Sequence, residues 1–588
     1  MDSFNSVRRD LLRFGGMGFA AAAATSAPAA FALPKSYSNT PPLTFDVRNY
    51  GAKGDGKTVD TPAINRAIEA AAGAGGGMVN FPAGTYLCFS IHLRSHVHLY
   101  LSQGCTILAA DSPLPGQTTG YNGGTYDAAE PNGEWEPYQD YGHNHWHNSL
   151  IWGESLNDIS IMGPGLIYGK GLSFGAGPAR IGPPREGFGP GRPPGAPTGA
   201  ANQAGATGTP AGASAAPPPF PRNRGNYPMY QAEQPGVGNK AIALKNCRNV
   251  IFRDFSILKG GHFGLLLTGV DNLTIDNLKI DTDRDGIDID CCKNVHVSNC
   301  TVNSPWDDGI CPKSSYALGY GRPTENVTIT NCYVTGNYEL GTVLDGTFKR
   351  FAADVRVPHT GRIKCGTESN GGFKNITISN CVFEECDGIA LESEDGALCE
   401  DVTISNISMR GIFTSPIFIR LGSRLRGPKE TKVGTMQRIL ISNLVSHNAG
   451  SRLCSIISGI PDYAIQDIKL SNIFQQHVGG AAQDAVAIRP QEFENKYPDP
   501  GMFGPMPSQG FYLRHIRNLE MSHVEIAPVQ PDPRPSFFLS GVDRADFIAV
   551  TAPTANPAFH LDKVTDLRIL LSRAAKDTQL ASADDKTL

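Results

Sequence analysis

An all-β solenoid is the fold that this sequence predicts: a single-stranded parallel β-helix with a short N-terminal capping helix. Three observations lead to it. A nine-residue unit returns along the chain, its apolar residues alternate as in half-buried strands, and turn formers are abundant, with 66 Gly and 43 Pro among 588 residues. A propeller or a sandwich would need regularly spaced hairpin signals, and we find none. Rungs stacked about 4.8 Å apart around a shared core explain all three observations.

The repeated unit places Asn or another turn former before alternating apolar residues, as in NVTITNCYV at 326–334 and NITISNCVF at 375–383. Asn tolerates the tight turn between two faces of a solenoid and can stack on its copy in the next rung. The copies begin at Asn249, Asn272, Asn294, Asn326, Asn375, Asp401, Arg438, Asp467 and Asn518, with a degenerate copy at Asp566. The shortest separations, 22 and 23 residues, give the base length of a rung, and the longer ones predict inserted loops that wall a groove.

Residues 45–87 predict a starter segment that covers the open end of the solenoid. Asp60-Thr61-Pro62 is a typical helix entry, with Asp60 as the candidate N-cap and Pro62 near the first helical position. A solenoid needs such a cap because an exposed first rung invites pairing with another chain. The helix would cover the core with an apolar stripe formed by Ile64, Ala67, Ile68 and Ala71.

Three segments differ in composition from the predicted β-helix domain of residues 45–574. Residues 1–32, with Arg8-Arg9 before a weakly apolar, Ala-rich run, are predicted to be a twin-arginine-type signal peptide. Residues 177–222 are rich in Gly, Pro and Ala and are predicted to be a disordered insertion. Residues 575–588 are predicted to be a polar tail. We therefore expect export to the bacterial periplasm or the medium, with no other segment apolar enough to span a membrane.

Charge and cysteine content exclude several classes of protein. The chain carries 51 Lys+Arg against 56 Asp+Glu, a net charge of −5, without the basic excess of a nucleic-acid-binding protein. It has 13 Cys, an odd number, and no C-x-x-C pairs of the kind that bind zinc. Cys300, Cys332 and Cys381 recur at one phase of the repeat, which predicts small apolar side chains stacked in the core.

The densest group of carboxylates falls on two consecutive rungs, in DTDRDGIDID and SPWDDGICPKS. Asp285 and Asp307 are 22 residues apart, one base repeat, so Asp285, Asp307 and Asp308 are predicted to meet on one face. Crowded carboxylates repel, which raises the pKa of at least one, and glycoside hydrolysis needs a proton-holding acid beside an ionised base. The alternative is a solvated turn rich in Asp and Gly. Asp288 and Asp290, which alternate with Ile, fit a structural role.

These motifs resemble those of glycoside hydrolase family 28, the polygalacturonase-like enzymes of the pectin-active, right-handed parallel β-helix superfamily. FDVRNYGAKGDG and FPAGTYL resemble an N-terminal segment common in that superfamily, and the resemblance extends over most of the predicted mature chain. DRDGIDID resembles the family's N-T-D-G-I-D-I-D element, with Asp283 at its Asn and Asp285 at its Asp. DDGICPKS resembles D-D-C-I-A-I-K-S, which places Asp307, Asp308 and Lys313. The resemblance implies an inverting hydrolase in which Asp307 protonates the leaving oxygen, while Asp285 and Asp308 orient and deprotonate water.

Two further elements of the family match imperfectly. HTGRIKCGTES roughly corresponds to G-H-G-L-S-I-G-S, which puts Gly361 at the position of the family's histidine and His359 two residues away. The family's R-I-K grips a uronate carboxylate, and it corresponds to GIALESEDG, where Ala390 and Glu392 replace the two cations. The literal Arg362-Ile363-Lys364 is predicted to lie one rung earlier.

An acidic residue at a carboxylate-binding position predicts a change of substrate. A uronate there would meet Glu392 across a partly dehydrated groove, so plain polygalacturonate is expected to be a poor substrate. A branched pectic chain or a glycan with a neutral sugar at that subsite is expected to be better. Long side chains on neighbouring rungs reach across about 4.8 Å, so other cations are candidates for the lost role. They are Arg362, Lys364, Arg420 and Lys313.

The remaining candidates are predicted to contact sugar. Glu368 and Glu392 can bind hydroxyls or a metal, and hydroxyl contacts are favoured because no metal-ligand spacing supports a cation. YGHNHWHNSLIWGES at 141–155 predicts a carbohydrate platform that includes Trp146, with structural packing and a metal site at its three His as the alternatives. His262 completes the predicted substrate-binding set, and no metal is assigned.

The sequence therefore predicts an exported glycoside hydrolase that cleaves a pectic or related plant polysaccharide or oligosaccharide without a cofactor. We expect a monomer whose partner is that carbohydrate, with no nucleic-acid or membrane partner. One alternative is a polysaccharide lyase or epimerase on the same fold, which would need a cation such as Ca²⁺ to neutralise the uronate. The other is a non-catalytic carbohydrate-binding or adhesin rod, which would not require the Asp residues.

Overall fold

The parallel β-helix is confirmed by a computed structural model that describes residues 44–114, 116–138, 142–173, 180–181, 234–450 and 453–588. Within these ranges the chain forms almost only β-strands, together with one α-helix, α1, at Thr61–Gly73. A typical rung has three short strands, such as Phe263–Thr268, Asp271–Asp276 and Lys279–Asp281, and each pairs in parallel with its copy in the next rung. The strands thus form three faces around one apolar core.

The strands of face 1 are Ile91–His92, Ile151–Glu154, Lys240–Lys245, Phe263–Thr268, Asp285–Asp290, Ile310–Lys313, Lys364–Cys365, Ile389–Ser393, Ile417–Leu421, Ser455–Ser458 and Phe559–Asp562. Those of face 2 are Thr44–Asp46, Gly77–Phe81, Val97–Leu101, Asn157–Met162, Arg248–Arg253, Asp271–Asp276, Lys293–Ser298, Thr324–Thr330 and Val564–Leu570. Those of face 3 are Asp55–Val59, Gly84–Cys88, Cys105–Ala109, Leu166–Tyr168, Ser256–Leu258, Lys279–Asp281, Thr301–Asn303 and Tyr333–Thr335.

Longer strands pass without a break from one face to the next in the C-terminal half. They are Phe373–Glu384, Leu398–Arg410, Thr435–Ala449, Ile465–Gly479, Phe511–Gln530 and Phe537–Ile548. Short 3-10 helices lie in the connections, at Val47–Tyr50, Tyr121–Gly123, Glu136–Tyr138, Gln483–Ala487 and Pro500–Phe503.

Two turns of each typical rung use backbone in the left-handed region, and most of the residues there are Asn. Asn406 has a φ of 56° and Asn443 a φ of 54°. The Asn443 side-chain amide donates to Asn406 Oδ1 at 3.0 Å, and Asn472 donates to Asn443 Oδ1 at 3.1 Å. Asn adopts this backbone at lower cost than most residues with a Cβ, and its amide satisfies the next rung. The turn and the ladder together explain why Asn marks the repeat.

The register on face 1 fixes which side chains stack. Ile287 pairs with Ile310, and Ile310 pairs with Ile363. Lys364 then pairs with Ala390, so the literal R-I-K triplet lies one rung before its acidic replacement, as predicted. Because side chains of a strand alternate, the Ile residues point into the core and their neighbours point outward, beneath the inserted loops.

The cysteines are part of the core. All 13 are buried and free, and Cys300, Cys332 and Cys381 stack at one phase of successive rungs, as the repeat predicted. Burial raises the pKa of the Cys105 thiol to about 12, so it stays protonated and behaves as a small apolar group.

Both ends of the solenoid are covered. The predicted stripe of α1 is buried against the first rungs. The N-cap prediction is wrong in its chemistry: the Asp60 carboxylate accepts the N–H groups of Lys53 at 2.7 Å and Gly54 at 2.9 Å, and caps no helix N–H. The carboxylate instead accepts hydrogen bonds from backbone N–H groups of the Gly-rich turn. Residues 575–588, predicted to be a polar tail, form the strands Thr578–Ala583 and Lys586–Thr587, which pair antiparallel with the last rung and cover its edge.

Two predicted segments lie outside the described residues. One is the signal peptide at 1–32, and the other is the insertion at 177–222 apart from Arg180–Ile181. That short strand pairs antiparallel with Val355–Arg356, so the prediction of disorder does not hold for these two residues, whose backbone groups find partners in another inserted loop. No helix in the described part of the chain has the length and apolar character needed to cross a membrane.

Asn406 offers a test of the Asn ladder, the row of side-chain hydrogen bonds between Asn residues of successive rungs. Asn406→Val should lower the unfolding temperature more than Asn406→Gly. Both remove the ladder hydrogen bonds, but only Val forces a β-branched side chain into left-handed backbone, at a cost of about 1–2 kcal/mol. Thermal unfolding followed by circular dichroism measures the difference. Equal destabilisation by Val and Gly would contradict the backbone argument.

Candidate active site

The three predicted catalytic carboxylates are brought together at the middle of face 1. Asp285 is the first residue of the strand Asp285–Asp290, and Asp307 and Asp308 occupy the turn before Ile310–Lys313. The Asp308 N–H donates to Asp285 Oδ1 at 3.1 Å, so Asp308 is the rung neighbour of Asp285. One oxygen of each carboxylate lies within 4.8 Å of the others. We call these three residues the carboxylate cluster.

The three side chains of the cluster differ in how far they are exposed. The side chain of Asp307 is 27% exposed, whereas those of Asp285 and Asp308 are 4% and 1% exposed. Glycine makes the close stacking of the two rungs possible, because a Cβ on Gly286 would lie 2.5 Å from the Gly309 carbonyl oxygen. Asp307 is therefore the member that a bound molecule reaches most easily.

Three cations pair with Asp307 and Asp308. Arg284 Nε and Nη2 both donate to Asp307 Oδ2, at 3.0 and 2.6 Å. Arg362 Nε donates to Asp308 Oδ1 at 2.9 Å, and Lys364 Nζ lies 2.5 Å from Asp308 Oδ2. Arg362 and Lys364 are buried, so their ion pairs with Asp308 are screened by water less than surface pairs are.

Lys313 lies behind the cluster, among several acids. Its Nζ is 3.4 Å from Asp288 Oδ2, 3.7 Å from Glu368 Oε2 and 3.9 Å from Asp285 Oδ2. His143, from the segment before the second strand of face 1, approaches the same Asp288 oxygen at 3.6 Å. Asp288, for which the sequence indicated a structural role, thus helps to hold the cation that faces Asp285.

The three carboxyls of the cluster differ in how readily they ionise. Burial raises the pKa of Asp285 well above its usual range, and the Asp307 carboxylate adds repulsion. Burial also acts on Asp307 and Asp308, but the nearby cations outweigh it, led by Arg284 for Asp307 and by Lys364 for Asp308. The pKa of each of these two therefore falls below its usual value. The cluster thus combines one carboxyl whose pKa is raised with two whose pKa is lowered.

Glu392 forms the next part of the wall, two rungs beyond Asp308. It is buried, with Arg362 Nη2 at 3.6 Å and Lys364 Nζ at 3.9 Å from its carboxylate oxygens. Thr367 Oγ1 lies 3.2 Å from Glu392 Oε2 and equally far from the Tyr497 hydroxyl. The two cations proposed to replace the lost pair thus already serve Asp308 and Glu392.

Four predicted site residues lie away from these contacts. His359 stacks on Phe413 with ring centroids 4.2 Å apart and bonds the Gly336 carbonyl, and burial lowers its pKa to about 4. Arg420 is buried farther along face 1, where Nη1 donates to Ser458 Oγ at 2.9 Å.

Trp146 is buried, and its Nε1 donates to Thr268 Oγ1 at 3.0 Å, while Lys245 Nζ lies 4.3 Å from its ring centroid. This favours structural packing among the three interpretations of residues 141–155. His262 stacks on Phe263 at 4.4 Å between centroids, and Arg284 is among the charges that lower its pKa after burial. Phe263 pairs with Asp285, so His262 lies one rung before Arg284.

Two groups in the described ranges have donor atoms close enough together to share a metal ion: the carboxylate cluster, and Glu130 with His147 and Glu154. In the second group Glu130 Oε2 accepts the Trp146 N–H at 2.8 Å, and Glu154 Oε1 lies 3.1 Å from Lys245 Nζ. Partners within the chain satisfy Glu130 and Glu154, so we assign no metal to this second group.

The sequence interpretation missed Arg284, His143 and Tyr497. Arg284 stood inside the quoted motif, and its charge beside two Asp residues was the available signal. His143 and Tyr497 belong to inserted segments, and no periodicity indicates where such segments fold back. Tyr497 is 43% exposed and stands at the end of the wall that Glu392 and Thr367 begin.

Comparisons with known proteins agree with the β-helix fold. Residues 44–107 match a family model described as rhamnogalacturonase A/epimerase, pectate lyase-like, and residues 231–320 match the right-handed β-helix region. A family 28 exopolygalacturonase from Yersinia enterocolitica superposes with a TM-score of 0.55 at 17% identity, covering 86% of this chain and 78% of that one. The resemblance to family 28 is confirmed. The fold is a right-handed parallel β-helix.

Two curated relatives are also similar to this chain. An exo-poly-α-D-galacturonosidase of Dickeya chrysanthemi is 39% identical over 71 residues, 12% of each protein. A Vitis vinifera protein named "Probable polygalacturonase" is 23% identical over 392 residues, 63% of this chain and 59% of its own length. The matches thus span about an eighth of the first relative and three fifths of the second.

Lys364 tests the electrostatics of the site. Lys364→Met should lower the unfolding temperature markedly, because it removes one of the two cations that hold the buried Asp308 and Glu392 and leaves only Arg362, and breaking a buried pair costs about 3–5 kcal/mol. Lys293→Met is the matched control, since Lys293 Nζ pairs with Glu325 at 2.6 Å at the surface, where a pair contributes about 0–1 kcal/mol. Differential scanning calorimetry gives both shifts. Equal shifts would show that the Lys364 pairs are not shielded.

Proposed function

We propose that the chain is an exported glycoside hydrolase that cleaves glycosidic bonds in a pectic or related plant polysaccharide. The observation that carries this proposal is the carboxylate cluster, in which Asp285, Asp307 and Asp308 meet within 4.8 Å and differ in pKa. A carbohydrate-binding rod has no need to hold three carboxylates against their repulsion. A hydrolase needs an acid and a base within reach of one glycosidic bond.

The proposed reaction follows the roles that the resemblance implies. Asp307, the most exposed of the three and ionised in the free site, takes up a proton when substrate binds and donates it to the glycosidic oxygen as the bond from the anomeric carbon to that oxygen breaks. A water held by Asp285 and Asp308 attacks the anomeric carbon from the opposite side and gives its proton to a carboxylate of the pair. One water is consumed, no cofactor takes part, and the configuration is inverted.

Glu392 sets the proposed substrate preference. Arg362 and Lys364 lie between Asp308 and Glu392, so neither is left to bind a uronate near Glu392. A sugar without a carboxylate fits that part of the wall, since both nearby cations are already paired with Asp308 and Glu392. Polygalacturonate should therefore be cleaved less well than a glycan with a neutral sugar at this subsite.

The catalytic assignment is tested by Asp285→Asn and Asp307→Asn. Each should lower kcat by at least ~10², because general acid–base groups contribute ~10²–10⁴. Asp401→Asn is the control, since Asp401 pairs with Arg438 at the surface. The assay follows reducing-sugar release from a panel of pectic and neutral polysaccharides, at pH values on both sides of the optimum.

Product analysis separates the alternatives. A lyase forms an unsaturated end that absorbs in the ultraviolet, and an epimerase changes the uronate without releasing ends. Either result with wild type would replace the hydrolase assignment. Wild-type rates in both Asn variants would remove the cluster from the mechanism.

Two inserted segments limit the open part of face 1. Beyond Glu392, the outward side chains Phe418, Ile456, Tyr512 and Phe538 are buried, packed against Phe493, Met502, Phe503 and Met506 of the segment 480–510. Arg514 Nη1 donates to the Pro490 carbonyl of that segment at 3.1 Å. Before the cluster, Trp146 packs over Ala243 and Leu266 in the same way. We infer that these segments close face 1 on both sides of the carboxylate cluster and leave it in a recess.

A closed recess predicts action at chain ends. A polysaccharide cannot lie along face 1 on both sides of the cluster, so we expect one small product from the first minutes of reaction. Viscosity should fall slowly relative to the number of bonds cleaved, and blocking one specific end of an oligosaccharide should stop cleavage. Chromatography of early products checks this. A broad ladder of intermediate lengths would show that the chain passes through the recess.

A further inference from the structure

Arg284 departs from the family element that the sequence resembles. Asp283 and Asp285 stand at the Asn and Asp of N-T-D, so Arg284 occupies the position of a short neutral Thr. Its backbone is held in place, since Ser304 Oγ donates to the Arg284 carbonyl at 2.6 Å and the Trp306 N–H donates to the Asp283 carbonyl at 3.1 Å. A guanidinium has therefore been added to the wall of the site.

The guanidinium is fixed on the carboxylate that has to act as the acid. Two of its nitrogens bond Asp307 Oδ2, and the Asp308 N–H lies 3.2 Å from Asp307 Oδ1. The side chain of Arg284 is 16% exposed and that of Asp307 is 27% exposed, so both reach the open recess. A molecule bound there meets the pair directly.

The charges around Asp307 together determine how readily it ionises. Arg284, Lys364 and Lys313 favour the carboxylate, while burial and the neighbouring Asp285 and Asp308 oppose it. Arg284 is the strongest of the cations and the only one of the three in direct contact with Asp307 in the described structure. With Arg284 in place Asp307 is ionised, and a carboxylate in that state has no proton to donate.

We propose that Arg284 is a specificity-determining residue that binds the carboxylate of a uronic-acid residue and thereby releases Asp307 to act as the acid. This inference rests on the proposed function. The uronate replaces Asp307 as the partner of the guanidinium, and Asp307 takes a proton from solvent. It then gives that proton to the leaving oxygen, becomes a carboxylate in that step, and pairs with Arg284 again when the product departs. When the sugar at the same subsite is neutral, Arg284 and Asp307 remain paired.

Glu392 limits where the acidic sugar can lie. The Asp285 strand and the Glu392 strand are three rungs apart, which is about 14 Å at the usual strand spacing. The Arg284–Asp307 pair is thus partly exposed, whereas Glu392 and its two cations are buried. Only a sugar on the Arg284 side would bring a carboxylate to Arg284.

The test compares an oligosaccharide that contains both uronic-acid and neutral sugars, so that a neutral sugar can lie near Glu392, with its carboxyl-reduced counterpart, which keeps the linkages but carries only neutral sugars. Wild type should prefer the acidic substrate in kcat/KM by about tenfold or more, the effect of one charged hydrogen-bonded contact. In Arg284→Gln the preference should fall to about one to threefold. Arg253→Gln is the matched control, because Arg253 pairs with Asp276 on face 2, and it should keep the wild-type preference.

The pH dependence provides a readout that a merely structural role would not change. Loss of Arg284 raises the pKa of Asp307, so the acid keeps its proton to higher pH. With the neutral substrate, the falling limb of kcat/KM against pH should therefore move upward in Arg284→Gln but not in Arg253→Gln. Arg284→Lys, which retains the charge without the forked contact, should give an intermediate preference and also covers the case in which Arg284→Gln does not fold.

Each outcome decides the matter. An unchanged preference and an unchanged pH limb in a folded Arg284 variant would overturn the inference while leaving the hydrolase proposal intact. Equal wild-type rates on the acidic and the neutral substrate would overturn it as well. Failure of wild type to hydrolyse either substrate, or any member of the polysaccharide panel, would overturn the proposed function and this inference with it.

Discussion

The stacking register of the rungs is the constraint on which the rest of the molecule depends. Left-handed turns at Asn residues define where one face ends and the next begins, and the hydrogen bonds between rungs hold each position above its copy. Side chains alternate along a strand, so a slip of one residue would move every outward charge into the core. The register therefore holds Asp285 and Asp308 together although their charges repel, because the summed backbone hydrogen bonds outweigh one such contact.

Cations from neighbouring rungs offset the repulsion between these carboxylates. Arg362 and Lys364 belong to the next rung but lean back on Asp308, and Lys313 lies between Asp285, Asp288 and Glu368. Buried ion pairs contribute little net stability, because desolvation offsets most of their attraction. What they do provide is a graded set of proton affinities within a few ångströms. The same desolvation raises the pKa of Asp285 and strengthens the hold of the cations on its neighbours.

Inserted segments turn a repetitive surface into a specific one. The solenoid alone would present face 1 as a continuous stripe, open to a polymer along its whole length. Residues 142–150 and 480–510 cover that stripe on both sides of the carboxylate cluster and bury apolar side chains such as Leu266 and Phe418 beneath them. Related rods share the scaffold, and their function is set by such loops and by a few outward residues.

The sequence by itself determined the solenoid, its capping helix, the stacked cysteines and the meeting of Asp285, Asp307 and Asp308, because a repeat of 22 to 23 residues encodes neighbours directly. It also placed Arg362 and Lys364 one rung before Glu392. Only the tertiary structure decided that Asp308 is the rung neighbour of Asp285, that Trp146 is buried, that residues 575–588 close the last rung, and that Arg284 and Tyr497 face the site. Periodicity is local and can be read from the chain, whereas the path of an inserted loop and the pairing of a charge depend on every surface they meet.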